Sequence, residues 1–408
     1  MLFFVIVSII GIIYFLFKRR KFDFYSIGFF SSLLYFSPGY FGEVSYSSNY
    51  SRYYEEINLS TYIVFTLVLM SIVLFAGFKD LKKSKIKTIK INPHVDHYAS
   101  EIYLILSLFC TAMLILTVGR DLIIPNKLEL MSKLNVWMIF LTYTSSLTFV
   151  LSFINNQKFI FVVALILQIL ILVIGFRFPL VISLISVLVL SLNKFKAFKL
   201  IRYRKHLIFG LLVISITLVF KKFLFAIKTW DTDLMYRIAN NEDILLSSFN
   251  EAEPFKTQSI LNKVIETEFE VPLSHLDNFL ALFVFESESL GIEIRSFNYY
   301  FQDELFPGAI FNMASNIWAQ FYALGGWVGI LFMICFYNVL LGIFSKLIQV
   351  RSTLFKATFA VMGVYWAFYL QRNSLSYIFA TQKKILLLGV LILFLTKAYL
   401  YIRRPKRI

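Results

Sequence analysis

Two arginines stand where apolar sequence turns around. Arg177 lies in Gly175-Phe176-Arg177-Phe178-Pro179, between two apolar runs. A tight turn has use for Gly and Pro but none for a bulky cation between two phenylalanines. Arg372 lies in Gln371-Arg372-Asn373-Ser374, again between apolar stretches. A guanidinium offers paired donors in a rigid fork, so two of them at one depth suit a phosphate or pyrophosphate carried on a lipid. The plainer readings are an arginine snorkelling to headgroups at Arg177 and an ordinary polar loop at Arg372. His275, in Pro272-Leu273-Ser274-His275-Leu276-Asp277, is a candidate base for a hydroxyl proton, with Asp277 as the alternative carboxylate. Its plainer role is as a polar cap of an interfacial helix. Asp231-Thr232-Asp233 has the spacing of a metal-holding acid pair, but without a nucleotide sugar in reach the match reads as chance. No metal site is expected: His94 and His97, flanking Asp96, have no further ligand nearby.

These residues are embedded in membrane-type sequence. The chain has 408 residues, 59% hydrophobic and 16% charged, with a mean hydropathy of +0.73. Soluble domains carry roughly a quarter charged residues. Apolar runs of roughly 16–22 residues match the length needed to cross a bilayer core of about 30 Å. They predict an all-α polytopic membrane protein with about eleven transmembrane helices, over 1–17, 24–41, 59–78, 100–118, 135–154, 159–175, 178–193, 207–222, 317–344, 357–371 and 385–401. The first run ends in Lys18-Arg19-Arg20-Lys21 without a small-residue cleavage site, so it reads as a retained helix. Cys110 and Cys335 both fall in spans and predict no disulfide.

Lys and Arg enrichment assigns the sides. Placing Lys18–Lys21 inside puts 79–90, Lys158, 194–205, 346–356 and the tail from Lys397 inside as well, against Asp23, Asp80, Asp96 and Glu101 alone among the acids. The formal net charge of +16 is therefore mostly a topology signal and does not predict nucleic-acid binding. Lys383 and Lys384 are then expected in an outer turn. A single long span from Ala357 to Ala380 would bring that pair in but push the basic tail out, and is rejected. The predicted organisation is N-terminal helices over 1–220, a large outer loop over 221–315, and C-terminal helices with a cytoplasmic tail over 316–408. A loop of that length is usually functional or carries its own structure.

Phe306-Pro307-Gly308-Ala309, followed by the run from Trp318 through Gly325-Gly326 to Ile330, resembles the stretch in Wzy-type O-antigen and capsule repeat-unit polymerases where an aromatic helix start leads into a glycine-containing span. The arginine hairpin at Arg177 and the late arginine at Arg372 look like the corresponding features of that family. The resemblance covers nearly the whole chain and rests on the order of short motifs. Phe178-Pro179 departs from the glycine or serine that often follows the hairpin arginine there.

The resemblance implies a glycosyltransferase of GT-C-like architecture in a bacterial inner membrane. Its substrate would be an undecaprenyl-pyrophosphate-linked oligosaccharide, with no cofactor. The growing polymer would be transferred to the hydroxyl of an incoming lipid-linked repeat unit, next to membrane lipids and a protein that regulates chain length. Arg177 and Arg372, with the loop arginines Arg237 and Arg295, would stabilise the leaving pyrophosphate; His275 or Asp277 would take the proton. Tyr299, Tyr300, Trp318 and Tyr322 would stack on sugars, their plainer role being interfacial anchors. O-antigen ligases share this architecture. A lipid-linked oligosaccharide flippase would want a central polar cavity and short loops, and an O-acyltransferase more outward histidines than one.

Overall fold

The structure, a computed structural model, describes residues 1–17, 20–47, 52–81, 93–124, 127–193, 223, 226–240, 253–275, 295–309 and 313–403. Its elements in chain order are α1 (Leu2–Phe17), α2 (Phe24–Tyr35), α3 (Pro38–Phe41), β1 (Glu43–Ser47), β2 (Arg52–Glu56), α4 (Leu59–Leu81), α5 (Pro93–Val118), α6 (Lys127–Lys133), α7 (Val136–Ile154), α8 (Lys158–Ile174) and α9 (Phe178–Asn193). Beyond these come α10 (Thr232–Ala239), α11 (Glu253–Glu266), α12 (Asn298–Leu305), α13 (Ile317–Leu347), α14 (Thr353–Ala367) and α15 (Leu375–Arg403).

Among the described residues, five stretches are long and apolar enough to cross a membrane: Leu59–Leu81, Tyr98–Leu122, Val136–Ile154, Ile317–Leu347 and Leu375–Ile402. The shorter helices α1, α2, α8 and α9 are apolar as well. On α1, Phe3, Ile6, Ile10, Ile13 and Phe17 are exposed at three- and four-residue spacing, while Phe4, Val7 and Phe15 are buried on the opposite face. Such a stripe is costly in water and comfortable in lipid. The chain is thus a helical membrane protein. The predicted span 207–222 lies outside the described residues.

The opening helices are pinned at one end by charge. Arg20 donates to Asp23, Ser26 and Asp80, and Lys79 donates to Asp23 at 2.8 Å. Asp23 also caps α2, accepting from Ser26 N while the Ser26 hydroxyl answers the Asp23 N–H. At this same end the Asn193 amide donates to Phe22 O, and a cavity of about 240 Å³ is lined by Lys21, Ile154, Asn193, Gln349 and Lys356. The junctions α1–α2, α7–α8 and α14's approach from α13 therefore share one end of the bundle.

Three features correct the sequence reading. First, the described residues are mostly helical, as an all-α membrane protein requires, with one small addition: β1 and β2 pair antiparallel, Glu43 opposite Glu56 and Ser47 opposite Arg52. Tyr46 stacks on Tyr53 at 5.0 Å across that hairpin. Second, α13 is not one span. Its backbone leaves helical geometry at Gly325 and Gly326, with φ +55° at Gly326. The two halves then fold back on each other, because Phe321 lies 6.0 Å from Phe332 and Trp318 lies 5.7 Å from Tyr337 between ring centroids. Residues 19 apart on a straight helix would be separated by about 28 Å. Gly329 permits the fold, since a Cβ there would sit 1.9 Å from Phe321 O. Thus 317–324 is a short ascending limb and 327–347 the crossing helix, which at about 31 Å still matches the bilayer core.

Third, Lys383 and Lys384 lie within α15, two turns below its start, instead of in a turn between helices. Gln382 beside them donates to Met362 O in the middle of α14, which places them at mid-bundle depth. The described parts of the segment from 221 to 315 also have structure of their own. Asn262 of α11 joins it to the α4 start: it accepts from Asn58 N at 2.9 Å and Thr61 Oγ1 at 3.1 Å, and donates to Glu56 O.

Candidate functional site

Arg177 is placed by the way α8 ends. Gly175, at φ +121°, closes α8 through N–H donation to Ile171 O and Leu172 O, and Phe176 N also returns to Ile171 O. Only glycine takes that backbone angle cheaply. Lys228 Nζ donates to Ile174 O at 2.8 Å and Ile124 O at 3.2 Å, satisfying helix-end carbonyls with a cation. Pro179 then starts α9, and Arg177 O accepts from Val181 N.

Arg372 ends a 3₁₀ turn, Tyr369–Arg372, between α14 and α15. Its position is set by the neighbouring Gln371, which is fully buried. Gln371 accepts from Trp318 Nε1 at 2.8 Å and donates to Ser32 Oγ at 3.0 Å. The ascending limb of α13, the turn before α15 and helix α2 are thereby joined at one point. Irregular backbone at this depth is tolerated because protein surrounds it and satisfies its polar groups.

The two arginines come together around a carboxylate. Arg372 donates through Nη1 to Glu253 Oε2, its guanidinium lies 5.2 Å from the centre of the Tyr369 ring, and the Tyr35 hydroxyl lies within its field. Its Nε is buried with no acceptor. Burial is the largest single influence on the Arg372 pKa and pushes it down, but Glu253 together with Tyr369, Tyr35 and Tyr377 outweighs it and the net shift is upward. Arg177 sits in the field of the same Glu253, Arg372, Tyr369 and Tyr35. For Arg177 burial dominates, with Arg372 adding to it, and its pKa is lowered. Among the described residues no hydrogen bond or ion pair engages the Arg177 guanidinium. Two guanidinium charges thus face one carboxylate, leaving one positive charge in excess and several N–H donors unspent. Along α2 this cluster stands about 18 Å from the Asp23 end, and along α9 about 24 Å, short of the roughly 30 Å of a bilayer core. It is recessed.

Other expected residues fall elsewhere. Arg237 is exposed on α10 and Arg295 is exposed above the Tyr299 ring at 5.9 Å. Asp277 lies outside the described residues. His275 is 2% exposed and not at an open interface. Leu375 N donates to Gln320 Oε1 at 3.0 Å, which turns the Gln320 amide nitrogen toward His275 Nε2 at 2.8 Å. Nε2 must therefore carry a lone pair and the proton resides on Nδ1. Burial lowers the pKa of this imidazole to about 4, and its acceptor nitrogen is already occupied. The arrangement is a latch joining the 253–275 segment to α13 and α15.

Trp318 corrects the expectation of sugar stacking: it is fully buried, packed edge-on against Tyr337 and hydrogen-bonded to Gln371. Tyr299 is exposed, Tyr300 packs edge-on against His275 at 4.9 Å, and Tyr322 against Trp327 at 5.9 Å. Glu253 escaped the sequence reading. It follows Glu251 and precedes Pro254 at a helix start, and nothing local separates it from its acidic neighbours.

Fold and site together define a helical membrane protein with a recessed cluster of two arginines and one carboxylate at one end of its bundle. Comparison with known proteins adds no relative: no family model, no curated protein and no solved structure matches the chain.

Proposed function

We propose that the chain is a membrane glycosyltransferase of the repeat-unit polymerase type. It would act on undecaprenyl-pyrophosphate-linked oligosaccharide at the outer face of a bacterial inner membrane. The observation that carries this reading is the pairing of Arg177 and Arg372 in one recessed cluster, although they are 195 positions apart in the chain. An anion held there would meet guanidinium donors in a low-dielectric setting, where they are worth far more than in water. The end of the bundle opposite the Arg20–Asp23–Lys79 cluster would be the outer one, as the Lys and Arg distribution requires.

In this reading, an acceptor sugar hydroxyl attacks the anomeric carbon of the donor. The bond from that carbon to the phosphate oxygen breaks with its electron pair going to the pyrophosphate, whose charge Arg177 and Arg372 stabilise. The hydroxyl proton passes to a carboxylate. His275 is poorly disposed for that role because Gln320 holds its lone pair, which leaves Asp277 or an acid at the arginine pair.

The test compares surface polysaccharide ladders from cells lacking the gene, complemented by wild type, Arg177→Ala or Arg372→Ala. Loss of all chains longer than one repeat unit, restored by wild type alone, is the expected result. Bare core with no repeat unit would instead assign a ligase or flippase. Full ladders from both variants would remove the arginines from the site.

A further inference from the structure

Glu253 is the one carboxylate among the described groups acting on both arginines. It is the first residue of α11, whose N-terminal end favours a negative charge independently of Arg372. Its side chain keeps 34% of its surface accessible and that of Arg372 keeps 26%, so the ion pair borders open space and is not sealed in the core. The donors around it are incompletely used: Arg372 Nε has no acceptor, and Arg177 has none among the described residues.

Resting on the anion-site reading above, we propose that Glu253 is a resident counter-ion that a lipid-borne diphosphate displaces from Arg372. The charge count supports this. With Glu253 in place the cluster holds one excess positive charge, too little for a diphosphate carrying two or more negative charges. With Glu253 swung aside, both guanidiniums face the ligand, and Arg177, which lacks an acceptor among the described residues, gains one. The anion also takes over the Nη1 donor that Glu253 gives up, so no arginine donor is stranded by the exchange. The carboxylate keeps the favourable field of the α11 start after it leaves Arg372. The swap needs only a side-chain rotation, because α11 itself is held by Asn262 to Asn58 and by Asn316, which donates to Thr257 O at 2.9 Å.

The resting ion pair also explains how two guanidiniums can stand together at membrane depth when no substrate is bound. Two unscreened cations in such a setting repel and each loses hydration. Glu253 offsets that cost in the empty state and competes with ligand in the loaded one. Selectivity follows, since a neutral headgroup or a single monoanion gains too little to drive Glu253 out.

The experiment is equilibrium binding of inorganic pyrophosphate and of farnesyl diphosphate to the full chain in nanodiscs, for wild type, Glu253→Gln, Glu253→Ala and Arg177→Ala. Removing the competing charge should tighten both ligands about tenfold in each Glu253 variant, while Arg177→Ala binds neither. Farnesyl diphosphate should bind wild type more tightly than inorganic pyrophosphate. Unchanged or weaker binding in both Glu253 variants, with wild type still binding, overturns the counter-ion exchange and leaves the anion site standing. A gain confined to inorganic pyrophosphate overturns a lipid-borne ligand. Absence of binding in wild type and in both Glu253 variants overturns the anion site itself. Agreement between the Gln and Ala variants guards against a folding defect peculiar to either.

Discussion

The two ends of the bundle each hold a charge cluster, built in opposite ways. At one end Arg20 and Lys79 meet Asp23 and Asp80, two cations against two anions. Nε, Nη1 and Nη2 of Arg20 all donate, and its face covers the Phe15 ring at 4.7 Å. At the other end, among the described residues, Glu253 is the one carboxylate facing Arg177 and Arg372, paired with Arg372, with donors left over. Both clusters place arginine near aromatic rings at an end of short helices. Charge balance and donor satisfaction separate a staple from a site, where arginine itself does not.

Breaking the closed cluster should cost the most stability. Arg20→Ala takes from Asp23 one of the two cations, Arg20 and Lys79, that hold this carboxylate below its usual range against burial, and should cost about 3–5 kcal/mol. Thermal unfolding in detergent measures it. Arg177→Ala should do the reverse, lowering turnover about 10²–10³-fold while leaving the unfolding midpoint unchanged or higher. Equal destabilisation by the two substitutions would erase the distinction between the ends.

His275 sharpens the comparison through pH. Its folded pKa of about 4 lies below the ordinary 6.5, so the unfolded chain binds a proton more readily. Stability from this group is present above pH 6.5 and is lost as pH falls toward 4. The loss should be about 3 kcal/mol and absent in His275→Gln, read from unfolding curves across that range. A catalytic histidine would show itself instead as a shifted pH–rate profile with unchanged stability.

The smallest effect concerns the support for the site. Gly326→Ala places a Cβ on a residue at φ +55° and ψ −138°, a region kept almost wholly to glycine, and should cost about 1 kcal/mol or more. It should also weaken activity through the Trp318–Gln371 contact. Full activity with unchanged stability would mean that the folded-back limb does not hold Arg372.

Much of this protein is written in its linear pattern. Long apolar runs cannot be buried in water, so the membrane class, most helix positions and the two arginine turns follow from composition and spacing alone. Arg177 and Arg372 stood out because a cation at an apolar turn has no local explanation. What tertiary structure decided is everything that depends on partners distant in the chain. Glu253 meets Arg372 from 119 positions away, a distance at which local pattern is silent. Gly325-Gly326 reads equally well as a soft point in one span or as a hairpin, and only the packing of Phe321 on Phe332 chooses. His275 reads in the sequence as a candidate base or a polar cap of an interfacial helix, yet Gln320 and Tyr300 enclose it. Hydropathy records what a segment must bury, and three-dimensional packing records which donors are already spent.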